Sequence, residues 1–93
     1  MATIHKKFTT DKNAVEIKKY IDETFLDRKE VKALIDTAVW VGFTLHVTSK
    51  FGKGTLEARD NLAEVNIELS LFGSAAKKAI ETTIEKNFKE LGP

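Results

Sequence analysis

Two histidines, three glutamates and three serines are the side chains here whose types and places could do chemistry. His5 and His46 have the parity of a polar sheet face. Set beside a carboxylate on pairing first and second strands, two imidazoles could ligate zinc. The tight local spacing of a metal motif is absent, and solvated histidines titrating near neutral pH are the plainer reading. Glu57, Glu64 and Glu68 line the same polar side. Paired carboxylates serve as general acid and base only where a pocket shifts one of them, and alternating glutamates on an open sheet are ordinarily there for solvation. Ser49, Ser70 and Ser74 lie in no G-x-S-x-G elbow. Gly52 and Gly54 lead through Thr55 into a strand, whereas a phosphate cradle needs a helix N-terminus. There is no cysteine, which excludes disulfides, thiolate metal sites and a thiol nucleophile. These residues argue for a non-enzymatic protein with no cofactor and no metal.

The aromatic residues point instead to contact surfaces. Trp40, the single tryptophan, has a parity that places it on the outer sheet face or at the sheet's end, where it would anchor a partner; if Gly42 bends the strand, it tucks under a helix end. Phe51 lies in a glycine-flanked turn and Phe72 at the exit of the last strand. Both suit insertion into an apolar surface, although such residues more often cap a core. Trp40, His46, Phe51 and Phe72 are the candidate interaction surface.

Period-two patterning dictates the elements that carry these residues. Val39, Val41, Phe43, Leu45 and Val47 alternate with mostly polar neighbours, as do Ala63, Val65, Ile67, Leu69 and Leu71. Each set belongs on one side of a β-sheet. Residues 2–9 read as a first, edge strand, with Ile4 and Phe8 on the apolar side, Lys6 between them and lysines discouraging edge-to-edge association. Thr10 or Asp11 opens a helix bearing Ala14, Ile17, Ile21 and Phe25 at helical spacing. Asp27 and Glu30 form a D-x-x-E capping signal, which implies a kink or a new short helix over 28–36, the alternative being one continuous helix. Gly42 implies either one long bent strand over 38–49, favoured by the unbroken parity, or a tight turn between two short strands. Turns follow at 49–54 and at Asp60-Asn61, around a strand over 55–59, and 63–71 is the last strand. Ser74 caps a closing helix whose stripe runs through Ile80, Ile84, Phe88 and Leu91. Lys77–Glu81 and Glu85–Lys89 pair along that helix, and Gly92-Pro93 stops it. The order is β-α(-α)-β-β-β-α: a single α+β domain over 1–93, a two-layer sandwich with helices packed on one face of an antiparallel sheet.

Composition narrows the function classes. The net charge of +1 is evenly spread, with +2 over residues 1–10, −1 over 11–36, −1 over 37–73 and +1 over 74–93. Phosphate-backbone binding needs a clustered basic field, so no nucleic-acid partner is expected. No segment is apolar enough to span a membrane and no signal-peptide core opens the chain, so a cytoplasmic protein is expected.

Phe51-Gly52-Lys53-Gly54-Thr55-Leu56-Glu57-Ala58, then Ala63 to Leu71 with its Val-x-Ile-x-Leu core, then the Lys/Glu/Ile helix from Ser74, resembles the small bacterial putative polyhydroxyalkanoic acid system proteins. The basic first strand (Ile4-His5-Lys6-Lys7) and Trp40-Val41-Gly42 extend the likeness over nearly the whole chain. The longer helical region over 27–36, and Phe43 after Gly42, depart from that pattern. The resemblance implies a setting in storage-polyester metabolism and carries no catalytic motif. The leading expectation is an accessory protein acting at a polyester granule surface or with a granule protein, with a homodimer through the open sheet face or an edge strand. The alternative is a carrier for a small apolar ligand, held in a cavity lined by Phe43, Leu45, Ile67, Ile21, Phe25 and Ile84.

Overall fold

The computed structural model describes residues 2–91, the side chain of Glu90 apart; the stop expected at Gly92-Pro93 lies outside the described residues. The chain is an α+β sandwich of one five-stranded antiparallel sheet and a helical layer. Strands β1 (Thr3–Thr9), β2 (Thr37–Val41), β3 (Thr44–Ser49), β4 (Gly52–Arg59) and β5 (Leu62–Leu69) lie in the spatial order β1-β5-β4-β3-β2. The last four form a meander, and β1 closes against β5 with Ile4 opposite Ile67 and Phe8 opposite Ala63. Helices α1 (Ala14–Tyr20), α2 (Lys29–Lys32), α3 (Leu71–Ala75) and α4 (Lys77–Phe88) complete it.

One core lies between sheet and helices. Ile4, Leu45, Leu56, Ala63, Val65 and Leu69 from the sheet pack with Ile17, Ile21, Phe25, Val31, Ile80, Ile84 and Phe88. Phe88 is its aromatic centre, stacked on Phe8 at 4.8 Å between ring centroids and tilted against Phe25 at 4.8 Å. Aromatic pairs at such separations add roughly 0.5–1.5 kcal/mol to area burial.

The first helix starts later than Thr10 or Asp11. Asn13 is its cap: its side chain accepts the Glu16 N–H at 2.9 Å, and the Glu16 carboxylate accepts the Asn13 N–H at 3.1 Å. Thr10 is buried, and its hydroxyl accepts the Lys12 N–H at 3.3 Å. After Tyr20 the helix widens into a π-type turn over Ile21–Phe25, closed by the Leu26 N–H donating to the Ile21 carbonyl at 2.9 Å. That wider turn keeps Phe25 on the buried side with Ile17 and Ile21. The chain then breaks and restarts, so residues 11–36 are not one helix. Arg28 occupies the cap position of α2 and makes no side-chain capping bond; Asp27 pairs with Lys32 at 3.2 Å instead of capping.

Gly42 makes a turn, and the bent-strand alternative is overturned. With φ of +61° it begins the two-residue loop Gly42-Phe43 between β2 and β3, where Val41 faces Thr44. A positive φ at the first loop residue alone is the type II′ hairpin pattern. The sheet therefore has five strands, one more than the sequence order implies. Because the loop holds an even number of residues, partners across it have opposite parity: Val39 opposes His46, and Trp40 opposes Leu45. Leu45 and Val47 face the helices, whereas Val39 and Val41 face outward at 59% and 65% exposure.

The closing helix begins earlier than Ser74. Ser70 is the cap, its hydroxyl accepting the Gly73 N–H at 3.2 Å, so strand geometry ends at Leu69 and Leu71 leaves the inward stripe. On α4, Glu81 and Glu85 bind Lys6 of β1 at 3.5 and 2.6 Å in place of the expected lysines of their own helix.

Candidate functional site

The sheet leaves one broad face uncovered. Across it run Val41, Thr44, Glu57, Glu64 and Lys7 in one row, and Val39, His46, Thr55, Asn66 and His5 in the next. His5 and His46 share a row but sit three strands apart, about 14 Å at the usual interstrand spacing. The first strand pairs with the last and not with the second, so the two imidazoles do not meet. His5 instead contacts the Glu64 carboxylate at 2.8 Å, and His46 lies exposed between Val39 and Thr55. Among the described residues no group of three His, Cys, Asp or Glu is placed to hold a metal ion.

The carboxylates of this face are ion-paired. Glu57 binds Arg59, Glu68 lies 3.7 Å from Lys53, and Glu64 takes His5 and, at 3.5 Å, Arg59. The His5 contact holds the Glu64 carboxyl below the usual carboxylate range, helped by Lys7 and Arg59 and opposed by partial desolvation. A general acid at neutral pH needs the opposite shift.

Trp40 faces the helical layer and is half-buried. Its indole N–H donates to the Asp22 carboxylate at 3.2 Å, and the Lys18 ammonium lies 5.0 Å from its ring centroid. The position beneath a helix is the one foreseen for a tucked tryptophan, reached by a hairpin inversion and not by a bend. Lys18 also donates to the Gly42 carbonyl at 2.9 Å and lies over the Phe43 ring, tying α1 to the hairpin tip.

Phe51 and Phe72 are brought together at the far end of β3. The Ser70 N–H donates to the Phe51 carbonyl at 2.9 Å and the Ser70 hydroxyl to the Lys50 carbonyl at 2.7 Å, so the Lys50-Phe51 turn lies against the start of α3. Gly73 makes that approach feasible: a Cβ there would stand 1.8 Å from the Phe51 carbonyl oxygen. Phe51 is half-buried against the core, with Lys50 over its ring at 5.4 Å. Leu71 and Phe72 project outward, 86% and 71% exposed. Adjacent exposed Leu and Phe on a five-residue helix that carries no charged residue form an apolar knuckle. Sequence reasoning singled out Phe72 and missed Leu71; the missed signal is Ser70, whose spacing to Gly73 suits a cap at the strand's end.

A cavity of about 70 Å³ lies between α2, α4 and the sheet, lined among others by Phe25, Val31, Ile35, Phe51, Ile67 and Ile84. Three residues expected to line a ligand cavity do not: Ile21 and Leu45 are fully packed in the core, and Phe43 is 45% exposed at the hairpin tip. Among the described residues no helix is long and apolar enough to cross a membrane. No family model, no curated protein and no solved structure matches the chain.

Proposed function

We propose that the chain is a non-catalytic accessory protein that docks on an apolar surface through the Leu71-Phe72 knuckle, with a storage-polyester granule or its protein coat as the surface. The observation that carries this reading is the exposure of both side chains, 86% and 71%, on a short helix whose far side is anchored to the sheet. Burying a Leu and a Phe contributes about 1.5–3 kcal/mol each, before the cost of ordering and immobilisation. The anchor matters because a rigid knuckle loses little conformational freedom on docking. The granule as the surface comes from the resemblance of the 51–71 region and the following helix to polyester-system proteins. The carrier alternative is less well supported, because a 70 Å³ cavity is several-fold below the roughly 300 Å³ at which small-molecule pockets begin.

Co-sedimentation with purified polyester granules tests the proposal. The unmodified chain is expected to pellet with granules above a control protein. The double variant Leu71→Ser/Phe72→Ser is expected to lose binding by about tenfold or more, with an unchanged unfolding midpoint since neither side chain is in the core. Equal pelleting of both proteins would contradict it.

A further inference from the structure

We infer that the open edge of β2 is a self-association surface that takes a second copy of this chain, strand to strand and antiparallel, about a two-fold axis at Val39. The two edges of the sheet are built differently. β1 carries His5, Lys6 and Lys7, and Lys6 turns inward to Glu81 and Glu85, devices that discourage pairing with another chain. β2 reads Thr37-Ala38-Val39-Trp40-Val41, with no charge, no proline and an unbroken register against β3. A two-residue hairpin makes its flanking pair, Val41 and Thr44, hydrogen-bonded; alternation then turns the N–H and C=O of Ala38 and Trp40 to the open edge. Among the described residues those groups make no backbone bond outside the sheet.

The strand is complementary to itself in that register. Val39 meets the partner's Val39 and Val41 meets the partner's Thr37 on the outer face. Ala38 exchanges backbone bonds with the partner's Trp40, and Trp40 with the partner's Ala38. On the helix side of Ala38 a shallow groove, lined by Leu26, Val31, Ile35 and Ala38 with Lys32 and Asp36 also on its wall, is open to receive the exposed rim of the partner's indole. Charge agrees with this pairing. Asp36, which has no ion-pair partner among the described residues, comes opposite the partner's Gly42, whose carbonyl carries the Lys18 ammonium in this fold. Asp36, just before β2, lines the helix-side groove with Leu26, Ile35 and Ala38, and Lys18 approaches Trp40 from the helix side. Two Asp36–Lys18 pairs therefore form symmetrically, one at each end of the shared strands.

Sedimentation equilibrium of the intact chain, without granules, over the micromolar to submillimolar range reads this directly. A concentration-dependent monomer–dimer equilibrium is expected. Val39→Lys sets two like charges face to face on the axis and is expected to weaken association by at least about tenfold, without unfolding, since Val39 is 59% exposed. Asp36→Lys is expected to weaken it as well, and Asp36→Lys with Lys18→Asp to recover it. Leu71→Ser/Phe72→Ser is expected to associate as the unmodified chain does, which keeps this result separate from granule docking. A monomer throughout the range, full association of Val39→Lys, or loss of association only in Leu71→Ser/Phe72→Ser would overturn the inference.

Discussion

Gly42 decides where the aromatic and valine side chains of the first hairpin go. Its φ of +61° is natural for glycine, and a Cβ placed there would meet nothing within 4 Å. The cost of replacing it is therefore conformational and not steric. The first loop position of a type II′ turn combines positive φ with the mirror-β region that only glycine enters freely, so Gly42→Asn and Gly42→Val are both expected to lose about 1–2 kcal/mol. Denaturant unfolding of both variants checks this; an unchanged midpoint in Gly42→Asn would contradict the II′ assignment. Asn87 poses the converse case. It is fully buried, its amide donates to the Thr83 carbonyl at 2.7 Å, and its side-chain oxygen has no partner among the described residues. An unsatisfied buried acceptor costs about 1–3 kcal/mol, so Asn87→Leu is expected to be neutral or stabilising in the same assay. A loss above about 2 kcal/mol, the scale of a disturbed core, would mean that the amide has a structural role beyond its one bond.

At the scale of elements, β1 and α4 are joined by charge across the edge of the core. Lys6 stands on the apolar side of β1 between Ile4 and Phe8 and reaches Glu85 at 2.6 Å. The hydrogen bond and charge of Lys6 hold the Glu85 carboxyl below its ordinary 4.5. A carboxyl depressed in the folded state adds stability above its unfolded value, and that contribution is lost as pH falls through the folded one. Lys6→Met is therefore expected to be less stable than the parent at pH near 7, with the gap closing as pH falls toward about 3. Unfolding midpoints of both proteins at the two pH values test it, and an unchanged gap would contradict it. The α3 junction is steric instead. Gly73→Ala drives a Cβ into the Phe51 carbonyl and to 2.9 Å from Leu69, and is expected to cost about 1–3 kcal/mol and to displace the Leu71-Phe72 knuckle.

At the scale of the whole molecule, alternation in the sequence made the α+β layering legible, and its failures are local. The stripe Ala63, Val65, Ile67, Leu69 faces the core as the pattern demands, because that strand runs without interruption over Leu62–Leu69. The stripe from Val39 to Val47 does not, because a two-residue loop swaps faces while leaving the sequence parity unbroken; parity alone cannot tell a bend from such a hairpin. The His5–His46 pairing failed for a topological reason: β1 lies at the edge opposite β2, a long-range choice that no local pattern encodes. Phe51 and Phe72 were legible as aromatics at a turn and a strand exit that more often cap a core, as Phe51 does and Phe72 does not; their juxtaposition rests on Ser70 bonding the Lys50-Phe51 turn, a tertiary contact. Leu71 was hidden because the period-two run continues through it after the strand has ended.

Docking as proposed requires α3 to be the part of the molecule that meets the apolar surface. The chain has no cysteine, so Ala75→Cys, exposed on α3 and one turn from Phe72, and His46→Cys, exposed on the open sheet face, can each carry one environment-sensitive fluorophore. Adding purified polyester granules is expected to shift the emission of the position-75 label to shorter wavelength and leave the position-46 label unchanged. A shift at position 46 alone, or at neither, would contradict docking through Leu71 and Phe72.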